Sequence, residues 1–221
     1  MKKYSNGLIT QQKIIDTCRT LFYENGFKET TFAMICRTAG VNPGTVAHHF
    51  TNKINIATII YQNMVRQYHD FVREAFPDED LLQQVMTGLG LHIKVLFEDA
   101  AYRKFSAQYL SEKEFSEEKV MNNPDLALSY RAISVMRERM DDEKLRFYMA
   151  AFAGMGGNIE TYIDRNISEM HFENSVRYYL EFHYLFIEDK ELHEKISRAL
   201  YLMNKLKITS FKFDIDIQFK E

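Results

Sequence analysis

The sequence predicts an all-α protein of two domains, residues 1–55 and 56–221, with a short extended or β tail at its C-terminus. Apolar residues recur at three- and four-residue spacing through most of the chain, which is the period of an amphipathic helix. Only residues 208–219 alternate apolar and polar side chains, which is the period of a strand. Nine glycines and three prolines in 221 residues leave no room for a low-complexity linker.

The composition is that of an ordinary globular protein, with 46% hydrophobic and 27% charged residues. No run of about 18 apolar residues is present, so we expect no membrane span and no membrane partner. The N-terminus contains basic residues but no apolar stretch of signal-peptide length. We therefore expect a cytoplasmic protein.

Positive charge is concentrated near the N-terminus. Residues 1–60 contain seven basic and three acidic residues, a net charge of +4, whereas the remainder carries −7 of the overall −3. Phosphate contacts supply most of the nonspecific affinity of DNA-binding proteins. The charge distribution therefore favours a nucleic-acid partner for the first domain, with the acidic remainder held away from the duplex.

The stretch from Thr30 to Lys53 predicts two short helices joined by a tight turn. Gly40 lies where the first of them ends, and glycine tolerates the left-handed backbone common at that position. Asn42 is suited to cap the second helix through its side-chain oxygen. Pro43 then occupies the first helical position, where no N–H donor is needed.

The residue pattern of the second helix predicts that its outer surface enters a DNA groove. Val46 and Phe50, four residues apart, form its inner stripe. The positions left outside are small or hydrogen-bonding, namely Gly44, Thr45, Ala47, His48 and His49. Such a helix fits the major groove of DNA. The two adjacent histidines point about 100° apart, which is poor geometry for a shared metal ion, so we expect no metal and no cofactor.

The stretch from about Thr10 to Ile56 resembles the DNA-binding domain of the tetracycline-repressor (TetR) family of bacterial regulators. The residues that carry the resemblance are Lys13, Ile14, Ile15, Phe22, Gly26, Phe27, Thr30, Thr31, the run Ala39-Gly40-Val41-Asn42-Pro43-Gly44-Thr45-Val46-Ala47-His48-His49-Phe50, Lys53 and Ile56. One position departs from the family pattern, because Ala47 replaces a tyrosine that commonly contacts the DNA backbone. One phosphate contact is therefore expected to be missing or supplied elsewhere.

The resemblance implies a three-helix helix–turn–helix domain followed by a helical domain for ligand binding and dimerisation. It also implies a homodimer on a palindromic operator in double-stranded DNA, with one recognition helix per half-site. Dimers of the family form through two late helices, which we place at about 143–164 and within 172–187. The residues expected to contact DNA are Lys28, Thr30, Thr31, Asn42, Pro43, Gly44, Thr45, Ala47, His48, His49 and Lys53.

Two longer helices organise the predicted second domain. Residues 53–75 predict a helix that begins in the first domain and ends in the second, so that motion of the second domain tilts the recognition helix. Residues 80–98 predict a central helix, because their apolar positions cover a wide arc. Gly88 and Gly90 inside it indicate either a kink or room for a ligand.

A small-molecule effector is expected in the second domain, and the residue types point to an apolar or aromatic compound. The candidates for its pocket are Leu89, His92, Ile93, Phe105, Tyr109, Tyr130, Phe152 and Tyr162. Each of these side chains also fits a plain apolar core, and that alternative stays open.

Nothing in the sequence indicates catalysis. No phosphate-cradling glycine motif and no C-x-x-C, H-E-x-x-H or G-x-S-x-G motif is present, so we expect no enzyme. Cys18 and Cys36 fall on inner helix faces, where they are either two small buried thiols or a redox pair.

The alternating tail predicts a strand, and no second strand is evident elsewhere in the chain. It either pairs with its copy across a dimer or lies extended over the body of the protein. The family pattern does not extend to this segment.

These features favour a ligand-responsive DNA-binding transcriptional regulator, a repressor by its resemblance, which a small apolar or aromatic effector releases from its operator. The alternative is a helical ligand-binding or interaction module that keeps the TetR-like fold but binds DNA weakly. Ala47 and the absence of Lys and Arg from the recognition helix support that alternative.

Overall fold

The computed structural model describes residues 2–112, 141–184 and 189–221, and they form a mostly helical fold with one small sheet. The elements are α1 (Lys2–Asn25), α2 (Phe32–Ala39), α3 (Pro43–His49), α4 (Lys53–Ala75), α5 (Leu81–Glu98), α6 (Ala100–Glu112), α7 (Asp142–Asn166), a 3-10 turn (Ile167–Glu169), α8 (Phe172–His183), α9 (Asp189–Asn204), β1 (Leu206–Phe211) and β2 (Asp214–Phe219). The apolar spacing of residues 126–140 predicts a further helix, and this segment lies outside the described residues.

Local capping fixes the two short helices of the N-terminal region. The Thr31 side chain accepts a hydrogen bond from the N–H of Met34 at 3.2 Å, which caps α2. Gly40 ends α2 with φ of 62°, in the left-handed region where glycine is favoured. The Asn42 side chain accepts from the N–H of Thr45 at 2.8 Å, and Pro43 follows as the first residue of α3. The sequence prediction for this turn is confirmed.

The described residues from 56 onward are called the helical part. Helix α5 lies at its centre, since it packs against α4, α6, α8, α9 and β1. The ring of His69 lies where a side chain at Gly88 would be, and the Met203 side chain occupies the corresponding place at Gly90. Both glycines therefore let neighbouring side chains approach α5 closely. The space expected for a kink or a ligand at these positions is filled by the protein itself.

The N-terminal and helical parts share one apolar core. Helix α1 packs against α2, α4 and α6, and the buried residues of both parts form a single cluster. Helix α4 crosses the predicted boundary at 55/56, and its observed bounds match the predicted helix. The division into two domains at that point stays a prediction.

The regions expected to dimerise expose large aromatic side chains. Phe147 and Tyr162 of α7 and Tyr178 of α8 are exposed, whereas Val176 and Leu180 of α8 face the core. Helix α8 is thus covered on one side by its own chain. The homodimer stays a prediction.

The C-terminal tail is a β-hairpin, so the prediction of a β tail is confirmed, but its two strands pair with each other, an arrangement that the sequence did not suggest. Strands β1 and β2 pair antiparallel from Leu206 opposite Phe219 to Phe211 opposite Asp214. Lys212 and Phe213 form the turn with φ of 49° and 66°. The sequence hides this turn because turns of this kind usually place Gly, Asn or Asp at positive φ.

In the described part of the chain, no helix has the length and apolar character needed to cross a membrane.

Candidate nucleic-acid interface and buried polar cluster

The outer face of α3 presents the predicted DNA-contacting residues to solvent. Asn42, Pro43, Gly44, Ala47 and His48 are exposed. The side chains of α3 that hold the fold, Val46 inside the helix and Phe50 at its end, are buried. The outward groups are therefore available to a partner without any change in the packing of the core.

Two hydrogen bonds define the start of this helix. Asn42 Oδ1 accepts from both the N–H and the hydroxyl of Thr45, at 2.8 and 3.1 Å. The Thr45 hydroxyl is half-buried and keeps acceptor capacity while it donates to Asn42. The rings of His48 and His49 meet edge to face with centroids 5.2 Å apart. Among the described residues, no group of three or more His, Cys, Asp or Glu is arranged to hold a metal ion.

Thr30 does not fit the predicted DNA-contacting role. Its side chain is 1% exposed, and its hydroxyl lies 2.8 Å from the carbonyl oxygen of Gly26 and 3.2 Å from that of Leu21. Thr31, the next residue, is exposed and caps α2. Thr30 instead closes the loop that follows α1.

Lys53 is also turned inward, contrary to the phosphate contact expected for it. Its ammonium donates to the carbonyl oxygens of Phe27 at 2.5 Å and Thr30 at 3.0 Å, and it lies 4.2 Å from the centroid of the Phe27 ring. Partial burial lowers the pKa of Lys53. Because loop carbonyls already occupy the ammonium, Lys53 ties α4 to the loop between α1 and α2. Lys28 is exposed, and its ammonium lies 3.9 Å from the carboxylate of Glu112.

The helical part contains a second candidate site, a buried polar cluster centred on Glu160 of α7. Glu160 is 3% exposed. Its Oε1 accepts from His92 Nε2 at 2.9 Å and from the Tyr61 hydroxyl at 3.1 Å. Its Oε2 accepts from the Ser106 hydroxyl. Three donors from three other helices therefore converge on one carboxylate.

His92 extends the cluster to two more tyrosines. A carboxylate only accepts hydrogen bonds, so Nε2 of His92 carries the proton shared with Glu160. Nδ1 of His92 lies 2.9 Å from the Tyr68 hydroxyl and 2.8 Å from the Tyr102 hydroxyl. Burial raises the pKa of Tyr61, Tyr68 and Tyr102 well above the ordinary value, so their hydroxyls remain protonated.

The polar cluster connects the core of the helical part to α4. Tyr61 and Tyr68 both belong to α4, and Thr58 of the same helix bonds the Tyr109 hydroxyl at 2.9 Å. Helix α4 begins three residues after Phe50, so one continuous helix runs from the end of α3 to the polar cluster.

The predicted effector-binding residues divide into four groups. His92, Phe105 and Tyr109 lie in or beside the polar cluster, and Phe105 and Tyr109 stack with centroids 5.9 Å apart. Ile93 is part of the apolar core, and the partly buried Leu89 packs against that core. Tyr162 is 60% exposed and lies outside the apolar core, and its place in a pocket stays a prediction. Tyr130 and the side chain of Phe152 lie outside the described residues.

Sequence reasoning missed Glu160, Tyr61, Tyr68, Tyr102 and Ser106. A weak signal was present for Glu160, because Ile163 lies three residues later on the same inner face of α7. Glutamate is normally exposed, so the pattern alone favours the surface.

Comparisons with known proteins address both regions. Residues 14–57 match the family model described as bacterial regulatory proteins, tetR family. The HTH-type transcriptional regulator UidR of Escherichia coli (strain K12) is 38% identical over 58 residues, which is 26% of this chain and 30% of UidR. The match thus spans less than a third of that relative.

Solved structures share the fold of nearly the whole chain. RolR in complex with resorcinol superposes with a TM-score of 0.61 at 13% identity, covering 88% of this chain and 96% of RolR. FadR from Bacillus subtilis in complex with stearoyl-CoA gives a TM-score of 0.53 at 18% identity, covering 80% of this chain and 99% of FadR. Residues 14–57 thus match the tetR family model, and these likenesses show that most of the chain shares the fold of RolR and FadR.

Proposed function

We propose that this protein is a ligand-responsive transcriptional regulator that binds an operator in double-stranded DNA as a homodimer. The observation that carries the proposal is the exposed outer face of α3, whose polar side chains take no part in the core. Because the helix carries no Lys or Arg, its contribution is hydrogen bonding to base edges and phosphates. Exposed Lys28 and the basic N-terminus supply positive charge toward the phosphates.

The proposed regulation is release from the operator, as for a repressor, when a small effector binds the helical part. The effector would carry an aromatic or apolar body and a polar group that reaches Glu160 or His92. Such a group competes with the Tyr61 hydroxyl, which now donates to Glu160 at 3.1 Å. Loss of that bond frees α4 to tilt, and the effector shifts the equilibrium by its differential affinity for the two states. The resorcinol and stearoyl-CoA bound by RolR and FadR support an effector with an apolar body.

Fluorescence anisotropy on DNA from just upstream of the protein's own gene tests DNA binding. The control DNA is a scrambled segment of the same composition, and both are measured at about physiological salt. We expect tight binding to the native segment alone, lost in Thr45→Ala and His48→Ala. Equal and weak binding to both DNAs, unaffected by either substitution, would contradict recognition of that segment by α3.

A second candidate is a helical ligand-binding or interaction module with weakened DNA binding. It is supported by Ala47, which is exposed where the family pattern has a tyrosine. Selection from random DNA separates the two functions, because only a regulator enriches a defined sequence.

A further inference from the structure

The C-terminal hairpin is fastened to both parts of the molecule. Its first strand is held at the base, where buried Lys94 of α5 donates to the carbonyl oxygen of Leu206 at 2.7 Å. Its second strand ends at the C-terminal end of α4, where the Phe219 ring meets those of Phe71 and Phe76 with centroids 6.2 and 5.8 Å apart. The hairpin therefore lies along the helical part.

The hairpin turn reaches the N-terminal helix. Asp214 pairs with Arg19 of α1, and Lys212 Nζ lies 3.5 Å from Glu24 of the same helix. On the other side of the turn, Gln67 of α4 donates to the carbonyl oxygen of Phe213 at 3.0 Å and accepts from the N–H of Ile215 at 2.9 Å. The turn is thus held between α1 and α4.

The Phe213 side chain is inserted between α1 and α6, and it is called the wedge below. Phe213 is 0% exposed. Its ring centroid lies 4.6 Å from that of Phe105 and 6.5 Å from that of Tyr102, both on α6, and 5.5 Å from that of Tyr23 on α1. Tyr102 in turn contacts His92 of the polar cluster. Phe213 therefore touches α1 of the DNA-binding region and a member of the polar cluster at once.

The backbone at the wedge is unfavourable by itself. Phe213 has φ of 66°, in a region that a bulky side chain rarely adopts. Such a conformation persists only where the surroundings determine it, and here the ring contacts and the two bonds to Gln67 do so.

We propose that residues 206–219 are a positioning element that sets the orientation of α1, and with it the recognition helix, relative to α4. Phe213 and Asp214 are its positioning residues. In a two-fold dimer this orientation determines which separation of half-sites the two recognition helices match. The inference rests on the proposed DNA binding and adds a structural determinant of operator spacing.

The test measures spacing selectivity on an operator selected from random DNA by the wild-type protein. Affinities are compared for the selected spacing and for spacings one and two base pairs longer or shorter. Phe213→Gly removes the wedge but permits the positive φ of the turn. Asp214→Arg breaks the pair with Arg19, and Arg19→Asp combined with Asp214→Arg restores it. Asp216→Arg, an exposed change on the same strand, is the matched control.

We expect Phe213→Gly and Asp214→Arg to reduce the affinity ratio between the best spacing and its neighbours, with partial recovery in the double variant and no change in the control. Loss of folded protein alone lowers the affinity for every spacing equally and leaves this ratio unchanged. If Phe213→Gly does not fold, the spacing ratios of Asp214→Arg and of the double variant with Arg19→Asp test the positioning role.

Unchanged ratios in folded Asp214→Arg and Phe213→Gly would overturn the positioning role while DNA binding stands. A wild-type protein that binds its selected DNA equally well at every spacing would also overturn it. If the wild type shows no selective DNA binding, the proposed function itself is contradicted.

Discussion

The outer face of α3 and the polar cluster use similar side chains in opposite ways. At α2 and α3 the hydrogen bonds join residues three apart, as from Thr45 to Asn42, and the remaining polar groups face solvent. In the cluster they join residues 68 and 99 apart, from His92 and Tyr61 to Glu160, and nearly all the polar groups are turned inward. The first arrangement leaves chemistry for a partner, whereas the second holds the fold together. Substitutions should therefore separate binding from stability.

The largest expected effect is that of Glu160→Ala on the free energy of unfolding. The substitution leaves His92, Tyr61 and Ser106 without their common acceptor in the core. Leaving a buried donor without its acceptor costs about 1–3 kcal/mol for each group, so the summed loss should be large. Urea denaturation measures the loss, and Glu169→Ala, at an exposed position, is the control. A loss no greater than that of the control would contradict the cluster as a stabilising centre.

Next in size is the effect of His48→Ala on selective DNA binding. His48 is exposed on α3, so its removal should leave the unfolding midpoint unchanged. Loss of a base or phosphate contact should lower the affinity for the selected operator by on the order of tenfold. Anisotropy measures the change, with His193→Ala, at an exposed position of α9, as the matched control. Equal affinities for the two variants would remove His48 from the interface.

Lys53→Met and Lys28→Met compare a lysine that holds the fold together with a lysine that is exposed to a DNA partner. Lys53 donates to loop carbonyls, so its loss should cost about 1–2 kcal/mol of stability and leave the salt dependence of DNA binding unchanged. Lys28 is exposed, so its loss should spare stability and reduce the slope of log K against log salt by about 0.9, the value for one phosphate contact. Urea denaturation and salt titration of binding check both. The reverse pattern would restore the phosphate role first expected for Lys53.

The smallest effect concerns Cys18 and Cys36, which are free and buried. Burial raises the pKa of the Cys18 thiol to about 12, with a smaller contribution from Cys36. The thiolate is the reactive form, so Cys18 should resist a thiol reagent at pH 8 until the protein unfolds. Absorbance with such a reagent, native and in urea, measures this. Rapid native labelling, or a disulfide formed under mild oxidation, would favour the redox pair.

The same contrast explains what could be predicted from the sequence. Caps and turn residues such as Gly40 and Asn42 act within a few positions, so the bounds of α2 and α3 follow from the local pattern. The choice between Thr30 and Thr31 does not, because it depends on the carbonyls of Leu21 and Gly26.

Long-range geometry accounts for the other misses. Glu160 meets its donors only after α4, α5, α6 and α7 have packed. The hairpin turn at Lys212 and Phe213 has no glycine to mark it, and tertiary contacts of the Phe213 ring hold it in place. Periodicity predicts that these segments are helix or strand, but not which partner each polar group finds.

The central claim is that the outer face of α3 reads a defined DNA sequence, and selection from random double-stranded DNA tests it most directly. Purified full-length protein is used at about physiological salt, with folded His48→Ala in parallel. We predict that the wild type enriches a two-fold symmetric sequence whose half-sites lie a helical turn or a multiple apart. The variant should lose or alter that preference. Folded wild-type protein that enriches no sequence above background would contradict the account.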